Sequence, residues 1–164
     1  MKGQSKKQVR EMIWRYASKL GRQDVELRST MSPLELETIE AQLKAEVEAR
    51  LLAAFTAALP EFVKRYNITV LEEPSISACS AVVRVQAWNV TTIHGHNGWT
   101  ISSFWTQAEA EHVAQVLREC SARRHATGTF AETVTVDKAD HHGLVCDHDL
   151  RMAGLMPGYN EVKR

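Results

Sequence analysis

The sequence has little of what cross-links or interrupts a small domain. Its 164 residues include three cysteines, four prolines and eight glycines, and the cysteines (Cys79, Cys120 and Cys146) form no Cys-x-x-Cys pair. An odd, widely spaced set of cysteines predicts no disulfide framework, so we expect a reducing compartment, the cytoplasm. A chain of this length buries about two-thirds of the surface of its unfolded state, so folding requires neither a disulfide nor a metal ion.

Long apolar runs and an excess of one charge are also missing. Residues 49–63 are the richest apolar stretch, but Arg50, Pro60 and Glu61 interrupt it, and a membrane span needs about 20 apolar residues. The polar, basic start of the chain has no apolar segment behind it and predicts no signal peptide. Equal numbers of basic and acidic side chains, 20 each, exclude a protein that is basic or acidic throughout. The composition that is left is that of a soluble globular protein.

The charges are segregated although they cancel. Residues 1–22 carry seven Lys or Arg and one Glu, whereas residues 23–50 carry three basic and seven acidic side chains. A basic segment is therefore followed by an acidic one. Zero net charge is a cancellation between neighbouring segments, and it leaves a local electrostatic partner open.

Two helices are predicted before residue 67. The first, over 4–20, has an apolar stripe at helical spacing: Val9, Met12, Ile13, Tyr16 and Leu20. The second begins at the capping box of Ser32 and Glu35 and continues its apolar repeat to Tyr66. Pro60 lacks an amide hydrogen and crowds the preceding turn, so we expect a kink or a restart there.

The residues after Asn67 change to a β pattern with one further helix. Strands are predicted at 68–71, 81–93, 99–105 and 130–136, and a helix is predicted from the capping box at Thr106 to His125. This order indicates an α+β fold, in which N-terminal helices, the long one kinked near Pro60, pack on a small, mainly antiparallel sheet of β-β-β-α-β order. We expect one compact domain with a helical part, 1–66, and an α+β part, 67–164.

A hairpin is predicted at Asn97-Gly98, because a type I′ turn favours this pair. With these two loop residues His96 faces Trp99 and Val90 faces Trp105, and three tryptophans share one face: Trp88, Trp99 and Trp105. That face is either core beneath the helices or an aromatic platform for a partner. His96 and Trp99 lie nearest the tip and are expected to be the exposed members.

Histidines cluster in two segments, 94–96 and 140–149, beside a cysteine and several aspartates. Imidazole, thiolate and carboxylate are the ligands that zinc prefers, which makes five residues candidate ligands: His94, His96, His142, Cys146 and His148. The spacing matches no established zinc motif, and polar loops with solvated or hydrogen-bonded histidines are the favoured explanation. No cofactor is required by the sequence, and zinc is the one that this set would fit.

A binding function is the first hypothesis, because no catalytic motif accompanies the segregated charge. The sequence has no Gly-rich phosphate loop, no G-x-S-x-G and no H-E-x-x-H. We expect a small, non-enzymatic, intracellular binding or accessory protein that acts through a protein or a nucleic acid. The expected surface is the basic helix and the hairpin tip: Lys6, Lys7, Arg10, Arg15, Lys19, His96 and Trp99.

Other hypotheses stay open beside it. The basic helix could pair with the acidic helix that follows it, or lie on a membrane surface. The long helix, with more apolar residues than one sheet face covers, could form a homodimer. The alternative function is a metal-dependent hydrolase of the zinc type that uses the clustered histidines.

Overall fold

The computed structural model describes residues 5–94, 97–125 and 132–157. These ranges hold four helices and four strands: α1 (Lys6–Lys19), α2 (Pro33–Tyr66), β1 (Ser75–Ser77), β2 (Ser80–His94), β3 (Asn97–Phe104), α3 (Gln107–His125), β4 (Glu132–Cys146) and α4 (Asp147–Met152). All strand pairs are antiparallel. The predicted α+β fold, with a long N-terminal helix and a small antiparallel sheet, is confirmed.

Capping boxes start both N-terminal helices. The Ser5 amide donates to Gln8 Oε1 at 2.9 Å, and the Ser32 amide donates to Glu35 Oε2 at 2.6 Å. The second contact lowers the pKa of the Glu35 carboxyl, because it stabilises the ionised form. Helix α2 then continues through Pro60 for 34 residues, about 51 Å, so the restart expected at this proline does not occur.

Strand β2 is the centre of the sheet. Strand β4 pairs with it from Val82 to His94 along one edge. The opposite edge is shared: β1 pairs with Ser80–Val82, and β3 pairs with Trp88–His94. Most of the sheet therefore depends on one strand of 15 residues.

Two predicted strand positions are wrong. Residues 68–71 contribute one isolated bridge, Val70 to Val85, and the first strand is instead β1. The predicted turn at Asn97-Gly98 lies inside β3, because His94 pairs with Asn97 and the register of the hairpin is displaced from the predicted one. A bulge between Val90 and Thr91 changes the register by one residue beyond that point. Register follows the burial of side chains on the sheet faces, which here outweighs the local preference of Asn-Gly.

The predicted single face of tryptophans is also wrong. Trp88 packs with Phe104 in the cluster beneath α3. Trp105 belongs to the cluster beneath α2, where its ring centroid lies 6.3 Å from that of Phe62. The side chain of Trp99 lies outside the described residues. The core interpretation applies to Trp88 and Trp105, but in two separate clusters.

Five apolar residues of α2 are buried within the chain. Leu36 and Leu43 are buried against α1, and Phe55, Leu59 and Phe62 are buried against the sheet and α4. These contacts account for the long apolar repeat that suggested a homodimer. Helix α2 thereby joins two of the three hydrophobic clusters of the described residues.

Strand β4 extends well past the predicted strand, of which residues 130 and 131 lie outside the described part. Gly143 allows this, since a Cβ atom there would lie 3.2 Å from Trp105 Cδ1 and 3.2 Å from Val85 Cγ2. The strand leads directly into α4, a short helix that the sequence pattern did not reveal.

The β1–β2 turn holds two residues in an unfavourable conformation. Ala78 and Cys79 have φ angles of 47° and 67°, and Ser77 pairs with Ser80 around them. Positive φ costs a residue with a Cβ atom about 1–2 kcal/mol, whereas Asn-Gly fits such a turn. We expect Ala78→Asn with Cys79→Gly to raise the free energy of unfolding by about 1–2 kcal/mol, measured by urea denaturation. Unchanged or lower stability would contradict the assigned turn.

Candidate functional site

Helix α1 packs its apolar stripe on α2 and turns its charged side to solvent. Val9, Ile13 and Tyr16 are buried among Leu36 and Leu43 of α2. Among the helices and strands described, α1 contacts α2 alone. Within the described ranges, the helix is therefore held from one side, and no other helix or strand lies against its remaining surface.

The five cations that the sequence placed on this surface are not neutralised by neighbours. In the described part of the chain, no carboxylate oxygen lies within 4.0 Å of their nitrogen atoms: Lys6, Lys7, Arg10, Arg15 and Lys19. Two of them donate instead to backbone carbonyls of the α1–α2 connection, Lys6 to Met31 at 3.3 Å and Arg10 to Arg28 at 2.8 Å. Among the described residues, ion pairs between this face and the acidic helix, one of the alternatives left open by the sequence, do not form.

The cation that does pair with α2 lies just beyond α1. The Arg22 guanidinium is 2.7 Å from Asp24 Oδ2 and 3.5 Å from Glu46 Oε2. The hydrogen bond to Asp24 raises the pKa of Arg22 and lowers that of Asp24, because each charge stabilises the other. The ion pairs with α2 are therefore made beyond the end of α1. The cations of α1 itself have no carboxylate partner among the described residues.

Trp14 is the residue of this surface that the sequence analysis missed. Its side chain is 50% exposed, although it is the largest apolar side chain of α1. It borders two shallow clefts, one with Ser18 and Arg22 and one with Arg15 and Lys19. The sequence does contain a signal for its exposure, because Trp14 falls out of phase with the apolar stripe that begins at Val9. An exposed indole among cations is a surface for stacking as well as for charge.

The packing of α1 argues against the membrane hypothesis. A helix that lies on a bilayer inserts its apolar side, and in α1 that side is buried on α2. Among the helices of the described ranges, none has the length and apolarity of a bilayer span.

The described part of the hairpin is separate from α1. Strands β2 and β3 make no contact with α1 in this part of the chain. Of the two predicted tip residues, His96 lies outside the described residues, and Trp99 is described only by its backbone, which pairs with Thr92 in β3.

The two histidine segments are likewise apart. His94 pairs with Glu132 at one end of the β2–β4 ladder, while His142 pairs with Gln86, eight positions away on β2. At about 3.3 Å per residue, this separates their backbones by about 26 Å. Cys146 lies further still, opposite Val82. No group of three metal-ligating side chains occurs among the residues described.

Cys146 is also poorly suited to bind zinc. Burial raises the pKa of its thiol, and the nearby Asp149 carboxylate raises it further. The Cys146 amide donates to Asp149 Oδ2 at 2.7 Å, which ties that carboxylate to the start of α4. Since the thiolate is the form that binds metal, this environment disfavours ligation. His142 and His148 are exposed to solvent at either side.

One Ser–His contact resembles a piece of catalytic machinery. Ser103 Oγ lies 3.3 Å from His141 Nε2 and donates to Asn89 Oδ1 at 2.6 Å. Because that single hydroxyl proton points to Asn89, the imidazole is not positioned to remove it. Ser103 and His141 are exposed and line none of the larger clefts of the described chain. The contact is a cross-strand hydrogen bond and not an activated nucleophile.

Comparison with known proteins adds no assignment. No model of a protein family, no curated protein and no solved structure matches the chain.

Proposed function

We propose that the protein is a non-enzymatic binding module for single-stranded nucleic acid, and that the outer face of α1 is its binding surface. The observation that carries the proposal is the combination of five cations without carboxylate partners, within the described residues, and a half-exposed indole on the same helix. Lysine and arginine attract phosphates, and an aromatic ring stacks on bases of any sequence.

The surface favours a nucleic acid over an acidic protein because of Trp14. Charge alone would serve either partner. A single planar ring, half exposed among exposed cations, suits stacking on a flat base. Glu11 is the one acidic residue of α1, so little repulsion opposes a phosphate backbone.

Fluorescence anisotropy with a labelled oligothymidylate tests the proposal. We expect binding at about 50 mM salt that weakens steeply by about 200 mM, with a slope of log K against log salt of about −3.5 for five phosphate contacts. Polyglutamate of similar length is the control polyanion. Equal competition by polyglutamate would favour an acidic protein partner, and absence of binding at low salt would remove the proposal.

Replacing Trp14 separates stacking from charge. Base stacking on an aromatic side chain contributes about 1–3 kcal/mol, so Trp14→Ala should weaken oligothymidylate binding by a factor of about 5 to 150, with the salt slope unchanged. Trp14→Phe should retain most of the affinity. The control is Leu34→Ala, which removes an exposed apolar side chain from α2. If Trp14→Ala and Leu34→Ala bind alike, stacking plays no part.

A further inference from the structure

A cavity of about 340 Å³ lies between the two N-terminal helices and the C-terminal residues of the described chain. Four parts of the chain line it: the end of α1, the middle of α2, the β1–β2 turn and residues 151–157. Its volume is at the lower end of the range of about 300–1,000 Å³ that is typical of ligand pockets. A small molecule of few atoms would fill it.

One side of this cavity is aliphatic. The apolar lining residues come from both helices and from the C-terminal segment: Leu20, Val47, Leu51, Ala54 and Met156. Leu20 and Met156 are themselves buried, so this wall is anchored in the core clusters on either side. An alkyl chain laid against it would leave water at a gain of about 0.8 kcal/mol for each buried methylene.

The charged lining is unbalanced. Four cations line the cavity: Lys19, Lys44, Arg50 and Arg151. Three carboxylates face them, Glu48 beside Lys44, Glu46 beside Arg50 and Asp147 beside Arg151, which leaves a surplus of one positive charge. The lining therefore favours a ligand that carries a negative charge.

Both arginines of the lining are held in place by the protein. Arg50 donates to the carbonyl of Leu20 at 3.3 Å and to Glu46 Oε1 at 2.8 Å. Arg151 Nε lies 3.2 Å from Oδ2 of Asp147, which is only 2% exposed. These contacts fix the two guanidinium groups as part of the wall.

The lysines are the lining cations with the weakest ion pairs. Lys19 has no carboxylate within 4.0 Å among the described residues, and Lys44 has only Glu48, at 3.8 Å. Tyr16 lies beside them, and burial raises the pKa of its phenol, which therefore stays a hydrogen-bond donor at neutral pH. Two ammonium groups and a phenol thus lie at the border of the aliphatic wall. The polar groups suit a carboxylate, and the wall suits the alkyl chain attached to it.

We propose that this cavity binds a free aliphatic carboxylate of medium chain length, with the alkyl chain on Leu51 and Met156 and the carboxylate at Lys19 and Lys44. The site is distinct from the nucleic-acid surface, which faces outward on α1, and Lys19 is the residue that both share. Lys44 belongs to the cavity alone and is the residue to vary.

Cys79 provides a direct readout, because it lines the cavity and its side chain is exposed. Alkylation of the native protein by iodoacetamide, followed by mass spectrometry, compares it with Cys120, an exposed cysteine on α3. Decanoate at about ten times its Kd should slow alkylation of Cys79 about tenfold and leave Cys120 unchanged. Decanol tests the chain without the charge, and acetate the charge without the chain. No protection of Cys79, or equal protection by decanol, would overturn the proposal.

Matched variants localise the ligand. Ala54→Phe fills the cavity from α2, whereas Ala53→Phe adds the same ring at an exposed neighbouring position outside the lining. Decanoate should raise the Tm of the wild type and of Ala53→Phe, but not that of Ala54→Phe. Lys44→Gln should weaken decanoate binding about two- to fivefold and leave decanol binding unchanged. Equal Tm shifts in both phenylalanine variants would place decanoate elsewhere and contradict the assigned site.

Discussion

Oligothymidylate should bind at least about tenfold more weakly to the triple variant Lys7→Gln, Arg15→Gln and Lys19→Gln than to the wild type at low salt. Each removed phosphate contact should also reduce the salt slope by about 0.7 to 1, so that the slope falls by about 2 to 3. All three side chains are exposed, so their loss leaves the core of the α1–α2 pair intact. Anisotropy titrations at several salt concentrations measure both quantities.

A second triple variant controls for net charge. Lys64, Arg123 and Lys138 are exposed cations on other parts of the molecule, and their replacement by glutamine changes the total charge by the same amount. We expect this variant to keep nearly the affinity and slope of the wild type. If both triple variants weaken binding equally, the long-range charge of the whole protein drives association and the α1 face has no special part.

Phe55→Ala should lower the free energy of unfolding by about 3–5 kcal/mol, a large fraction of the stability of a typical domain. Phe55 is fully buried in the cluster that joins α2 to β2, β4 and α4, so the substitution leaves a cavity where the helix meets the sheet. Urea denaturation followed by circular dichroism gives the change from the shift of the midpoint.

The matched control lies on the same helix. Leu34 is 72% exposed in the first turn of α2, and Leu34→Ala should change the stability by less than about 0.5 kcal/mol. Similar losses in the two variants would show that helix propensity, and not packing on the sheet, determines the stability of α2.

The local signals of the sequence were sufficient for the helices. Capping boxes at Ser32 and Thr106 and an apolar repeat of helical period depend on neighbouring residues, and α2 and α3 begin where these signals lie. Of the kink or restart expected at Pro60, the restart is absent, since burial of Phe55, Leu59 and Phe62 on either side holds the helix continuous.

The sheet depends on contacts between residues that are distant in the sequence, and a local pattern does not reveal these. The register of β3 follows burial against α3 and a bulge after Val90, which the Asn97-Gly98 pair does not encode. The separation of His94 from His142 follows from the same ladder, because both strands are long and run side by side. The two histidine segments are therefore distant in space.

The sequence analysis named the cations of the proposed binding surface but not its aromatic residue. Lys7, Arg15 and Lys19 are exposed as the helical pattern indicated, whereas Trp14, which lies outside the apolar stripe, was not among the candidates. That mismatch was the informative feature, since a large apolar side chain outside the stripe of a packed helix has no core to enter.

Backbone NMR during titration with oligothymidylate tests the central proposal most directly. At low salt, we predict shift changes of the ¹H–¹⁵N signals confined to α1 and its flanks, with the largest change at the indole N–H of Trp14. The signals of β2, β4 and α3 should stay in place. Changes centred on the sheet or on α3, or no changes at saturating oligonucleotide, would contradict the assignment of α1 as the nucleic-acid surface.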